Sequence, residues 1–138
     1  MNGGPRGPEV LEITTNAGVV QARQLVRALA QERRFSLVEQ TKLITAASEL
    51  ARNTLVHGGG GTMTALLVEE RGRPGVRLVF TDQGPGIADV ELALTDGWTS
   101  GGGMGLGLSG SRRLVDDFVL DTAAGEGTTV TITKWVRR

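Results

Sequence analysis

The sequence predicts an α+β fold, a two-layer sandwich with helices on one face of a mixed, mostly antiparallel sheet. Three observations predict it. Two stretches in the first half repeat apolar residues on a helical period. Two pairs of β-branched runs are each joined by a turn containing glycine. The length, 138 residues, suits one domain that buries its own core without disulfides or a structural metal.

The elements follow in order. Val10–Thr14 is β-branched and short, a first strand. Asn16 is a candidate N-cap for a helix running to about Arg34, whose apolar residues Val19, Val20, Ala22, Val26, Leu29 and Ala30 fall on a helical period. Ser36 with Glu39 forms a capping-box pattern and opens a second helix to about His57, closed by Gly58–Gly61. Strands are expected over 62–70 and 76–81, joined by the turn 71–75. An irregular stretch follows from Gly84 to Gly103, with a short helix near 89–94. A loop that long inside a compact domain is usually functional. A helix over about 107–116 and a closing hairpin of 118–122 and 128–135 complete the chain. Residues 1–8, rich in Gly and Pro, form a flexible N-terminal tail rather than a signal peptide, leaving 9–138 as the domain.

Composition removes several classes of function. The 15 basic and 15 acidic residues cancel, so no global attraction to nucleic acid or to anionic lipid is expected. There is no cysteine, hence no thiol nucleophile and no Cys-based metal site, in keeping with a cytoplasmic setting. No run approaches the roughly 20 apolar residues of a membrane helix. One histidine makes a zinc site a poor expectation. Glycine is the outlier at 21 residues, clustered at 58–61, 84–86, 101–110 and 125–127.

Four polar or Gly-rich signals carry the chemistry. Glu49 and Asn53 are four apart on the second helix, so their side chains share one side. A carboxylate and an amide there can join a Mg²⁺ shell, because Mg²⁺ takes one or two protein oxygens plus substrate phosphates. Read alone, Glu-x-x-x-Asn is more often an ordinary solvated helix flank than a metal site. Asp82 ends an apolar strand and precedes Gln83-Gly84-Pro85-Gly86. Its carboxylate can accept from an amino group such as adenine N6, and the glycines allow a close backbone path; a plain turn capped by Asp82 is the alternative. The run Gly101–Gly110 leads into a helix, where free N–H groups can meet phosphate. It lacks the Gly-Lys-Ser/Thr of a Walker loop and comes too late for a dinucleotide fingerprint. Thr128, after Gly127, opens the last strand, where its hydroxyl could bond a base-bound water or Asp82; taken alone, it reads more readily as a plain β-branched strand residue.

Taken in this order, the signals resemble the GHKL (Bergerat-fold) ATPases. Glu49–Asn53 matches the family's N-box, Asp82–Gly86 its first glycine box, Gly103–Gly107 its second and Gly127-Thr128 its last. Ser48–Asn53, Asp82–Ile87, Ala124–Thr128 and Lys134-Trp135 look like the RsbT-type switch-protein serine/threonine kinases, over about residues 10–136. The second glycine box also resembles that of sensor histidine kinases and does not separate the branches.

The resemblance implies a kinase that uses ATP and Mg²⁺ to phosphorylate a STAS-domain antagonist protein. It also implies a partner, either a PP2C-type phosphatase that the kinase activates or, in the RsbW-like anti-sigma branch, a sigma subunit that it sequesters. A homodimer stays open. By motif position, Glu49 would orient or deprotonate the attacking hydroxyl and Asn53 would ligate Mg²⁺. Asp82 would read adenine, with Gly84, Gly86 and Ile87 beside the base. Gly103, Gly105, Leu106, Gly107 and Leu108 would lie along the phosphates, Thr128 would support the adenine end, and a lid over about 89–103 would close on the nucleotide.

Overall fold

A computed structural model describes residues 7–94 and 108–137. Strand β1 (Glu9–Ile13) leads into α1 (Asn16–Glu32) and α2 (Leu37–Val56). A hairpin of β2 (Gly61–Glu70) and β3 (Arg73–Asp82) follows, then the one-turn α3 (Val90–Ala93). Helix α4 (Leu108–Leu114) precedes a second hairpin, β4 (Asp117–Thr122) and β5 (Thr128–Trp135). The five strands form one sheet in the order β1-β2-β3-β5-β4. Every ladder among the described residues is antiparallel, so the expected "mostly" becomes "all".

Local chemistry sets the helix ends. Thr15, not Asn16, is the N-cap of α1: it has extended backbone angles, and its hydroxyl accepts from Gly18 N at 3.2 Å. Ser36 caps α2 as expected, accepting from Glu39 N at 3.2 Å. Only that half of the capping box forms. The Glu39 carboxylate turns away to Lys134 Nζ, 2.8 Å distant on β5, a charge pair that outcompetes a neutral amide. Lys134 is 2% exposed and also donates to Leu114 O at 3.0 Å, tying the end of α4 to the start of α2.

The hairpin turn is tighter than the sequence reading. Arg71 and Gly72 both have positive φ, 54° and 77°, as a two-residue type I′ turn requires. β3 therefore starts at Arg73 and carries Pro74 and Gly75 inside the ladder. Pro74 has no N–H to donate there, and its carbonyl accepts from Val136 N at 2.8 Å.

The core lies between the helices and one sheet face. Val19, Ala22, Val26, Leu29 and Ala30 of α1 are buried, but Val20 is 45% exposed. It stands about 100° round the helix from Val19, off the buried stripe. On α2, Leu43, Ala47, Leu50, Ala51 and Thr54 are buried, the face that periodicity assigns, and Ala46 joins them. They meet Met63, Leu78, Phe80 and Ile132 from the sheet. Burying each such Leu, Ile or Phe is worth about 1.5–3 kcal/mol, which holds α2 firmly on the sheet and fixes the side chains at its C-terminal end. Trp135 belongs to the other sheet face. Arg73 lies 4.9 Å over its ring, and its indole N–H donates to Asp117 Oδ2 at 2.9 Å.

Candidate functional site

A cavity of about 370 Å³ opens where the C-terminal half of α2 meets the ends of β3 and β5. Leu50, Phe80, Ile87, Leu108 and Val130 supply apolar walls, and Asn53, Asp82 and Thr128 supply polar groups. Apolar walls with a few convergent polar groups are the usual character of a small-molecule site, and the volume is in the usual range.

One row of the sheet builds the polar end. The ladders pair Ile13 with Gly61, Gly61 with Asp82, Asp82 with Thr128, and Thr128 with Thr122. Residues directly opposite in a sheet point to the same face, so Asp82, Thr128 and Thr122 stand side by side. The Asp82 carboxylate is oriented by its own loop: Oδ1 accepts from Gly84 N at 2.9 Å. Among the described residues no donor reaches Oδ2, which leaves a carboxylate oxygen for a ligand.

Gly58 makes room for that carboxylate. A Cβ on Gly58 would collide with the Asp82 Cβ, Cγ and Oδ2 atoms. Gly84 stands against the Gly58 backbone rather than along the cavity wall. Gly86 lines the cavity at φ 73°, and a Cβ there would strike Ala123 O. The 83–87 loop thus follows a path that side chains would block.

Asn53 lines the cavity from α2. Its carbonyl accepts from His57 N and Gly58 N, both at 3.0 Å, and Gly60 N donates to Thr54 O at 2.8 Å, so the helix end is satisfied as it meets Asp82. Glu49 is half-buried one turn earlier and does not itself line the cavity. Among the described residues, no group of three or more His, Cys, Asp or Glu is placed to hold a metal. The donor set fits a cation held by one side-chain oxygen plus ligand phosphates, the Mg²⁺ habit.

Thr128 and Ile87 are held by Thr122. The Thr122 hydroxyl lies 2.9 Å from Ile87 N, Gly127 O and Thr128 Oγ1. Leu108, 3% exposed, begins α4 at the cavity wall. Gly103, Gly105, Leu106 and Gly107 lie outside the described residues, as does most of the expected lid.

The family model for the histidine kinase-, DNA gyrase B- and HSP90-like ATPases matches residues 38–138. The serine/threonine-protein kinase RsbT of Bacillus subtilis is 43% identical over 127 residues, 92% of this chain and 96% of that one. The chain belongs to the GHKL ATPases, in the family of the RsbT kinase. An anti-sigma F factor of Caldanaerobacter subterraneus is 27% identical over 85% of each chain. Among solved structures, the RsbU and RsbW domains of a Mycobacterium tuberculosis protein superpose with a TM-score of 0.64 at 24% identity, over 98% of this chain and 34% of that one. This chain therefore spans about a third of that solved chain. The catalytic domain of the histidine kinase ThkA gives 0.56 at 16% identity, over 91% and 95%. Both likenesses concern the fold.

Within this GHKL fold, cavity residues that the motifs did not point to include Phe80 and Val130, plain strand residues by sequence, and His57. The His57 backbone caps α2 as expected, yet the residue also lines the cavity. Gly58 read only as a helix stop and Thr122 only as a β-branched strand residue. Neither carries a local signal: Gly58 gains its role from Asp82 on β3, and Thr122 from Ile87, 35 residues earlier, and from Thr128 across the hairpin. No described helix of this GHKL chain is long and apolar enough to cross a membrane.

Proposed function

We propose that the protein is an ATP-dependent serine/threonine kinase of a partner-switching module, acting in the cytoplasm on a STAS-domain antagonist and binding and activating a PP2C-type phosphatase. The observation that carries this reading is the 43% identity to the RsbT kinase across nearly the whole of both chains. The cavity supports it, with a free Asp82 carboxylate oxygen at the end of an apolar slot. Asp82 accepts from the adenine amino group, with Gly86 and Ile87 beside the base and Gly84 holding the carboxylate. Asn53 would supply a side-chain oxygen to Mg²⁺, whose charge would help to neutralise the phosphates. Glu49, one turn away, takes the proton of the attacking serine or threonine hydroxyl. Gly103, Gly105, Leu106, Gly107 and Leu108 hold the phosphate end. Phosphoryl transfer needs positioning and charge neutralisation above all, which suits a site with one base and one metal ligand.

A second reading, sequestration of a sigma subunit, draws on the anti-sigma F factors at 27% identity. The higher identity to RsbT favours phosphatase activation. Incubation with a STAS protein and labelled ATP, followed by affinity capture, separates the two. Label on the STAS protein with a retained phosphatase supports the first; a retained sigma subunit supports the second. Glu49→Ala is expected to abolish transfer while nucleotide still binds. Asp82→Asn is expected to weaken ATP binding about tenfold or more, the loss of one charged hydrogen bond. Unchanged ATP binding in the Asp82 variant would sink the site assignment.

A further inference from the structure

Thr122 belongs to none of the sequence motifs and ends the edge strand β4, yet three groups converge on its hydroxyl, two of them on the cavity residues Ile87 and Thr128. A threonine hydroxyl has one proton to give and two lone pairs to accept with. Thr122 Oγ1 is 2.9 Å from Gly127 O, which can only accept, and 2.9 Å from Ile87 N, which can only donate. The proton therefore goes to Gly127 O, and one lone pair takes the Ile87 N–H. One lone pair remains, and Thr128 Oγ1 stands before it at 2.9 Å. Completing this network requires the Thr128 hydroxyl to donate to Thr122.

The consequence falls on the cavity. With its proton committed to Thr122, Thr128 can offer the cavity only lone pairs. Asp82, paired with Thr128 in register, is likewise an acceptor when ionised. The Asp82 and Thr128 side chains then present acceptors alone. A base edge bearing an amino group satisfies them, whereas one bearing a carbonyl sets oxygen against oxygen. Discrimination of this kind is strong because mismatched buried polar groups are left unpaired.

We propose that Thr122 is a positioning residue that sets nucleobase choice: by taking the Thr128 proton it fixes that hydroxyl as an acceptor and so selects a 6-amino purine over a 6-oxo purine. The proposal rests on the nucleotide reading of the cavity. It assigns Thr122 a task separable from support of the fold. Support alone would serve either base equally; the direction of one proton would not.

The test compares the affinities of ATP and inosine triphosphate for the full chain, by calorimetry, in wild type, Thr122→Val and Thr122→Ser. Valine keeps the shape and removes the acceptor, which frees the Thr128 proton to turn into the cavity. The ratio of the two dissociation constants is expected to shift about tenfold toward inosine triphosphate in Thr122→Val, one hydrogen-bond preference, and to return in Thr122→Ser. In a Thr128→Val background, Thr122→Val should leave the ratio unmoved. If the valine variant does not fold, Thr122→Cys, a far weaker acceptor, must shift the ratio in the same direction. ATP and inosine triphosphate weakened by one common factor would overturn the proposal. Wild-type protein that binds neither nucleotide would instead overturn the reading of the cavity.

Discussion

Gly58 and the carboxylate of Asp82 occupy adjoining space so closely that no side chain fits between them. The contact joins the end of α2 to the end of β3, beside the cavity that both residues line. Gly84, which fixes Oδ1, packs on the same Gly58 backbone. The three residues form one unit, although 26 positions separate the first from the last.

Gly58→Ala should therefore damage binding and stability together. The methyl group would push the Asp82 side chain off its Gly84 N–H bond or force the helix end away. Overpacking of this kind costs about 1–3 kcal/mol. ATP affinity is expected to fall about tenfold or more, since the carboxylate loses its aim. Urea unfolding and calorimetric titration on the same preparation check the two effects. Wild-type affinity in a destabilised Gly58→Ala protein would show that the contact serves packing only.

Much of this was legible in the sequence for physical reasons. The α2 face read correctly because 3.6-residue periodicity over 20 residues leaves little freedom. Asp82 could be placed at a strand end because an apolar run stops there. The Arg71-Gly72 turn is shorter than the sequence predicts, since Pro74 and Gly75 look like loop residues. In the fold they lie at the end of a ladder, where a missing N–H costs little. Val20 is apolar and on that ground expected inward, yet it falls outside the buried stripe. Glu39 shows the deeper limit. Its capping pattern is local and visible, but its carboxylate goes to Lys134, 95 residues away. Thr122 and Gly58 were opaque for the same reason, as partners fixed by register and by tertiary approach.

Glu39 also makes the fold acid-sensitive. The hydrogen bond from Lys134, then the charges of Lys134 and Lys42, hold its carboxyl at about 2, below the ordinary 4.5. Between those values the unfolded chain binds a proton that the folded chain refuses, so stability rises with pH there. The contribution is present in full above about 4.5 and is lost as pH falls through about 2. The difference in unfolding free energy between wild type and Glu39→Gln should be constant above the upper value and shrink toward the lower. Equal acid sensitivity in both proteins would show that the pair contributes nothing to it.

The β2–β3 turn allows a gain in stability. Arg71 has φ 54° at the first central position of the turn, where a bulky L-residue strains against the following carbonyl, while Gly72 beside it has no such strain. Asparagine tolerates the left-handed region because its short amide can bond locally, and Asn-Gly is the favoured type I′ pair. Arg71→Asn should therefore stabilise the fold, by about 1 kcal/mol on the left-handed cost of a non-glycine residue. Arg71 is exposed, remote from Asp82 and engaged in no ion pair among the described residues, so ATP affinity should stay at the wild-type value. Gly72→Ala is the opposing control. It places a Cβ at φ 77° with open space around it, so any loss comes from backbone strain and not from a clash. Thermal unfolding of the two variants should bracket wild type, with Asn above and Ala below. A fall in melting temperature for Arg71→Asn would mean that the arginine side chain contributes more along the hairpin than its backbone strain costs.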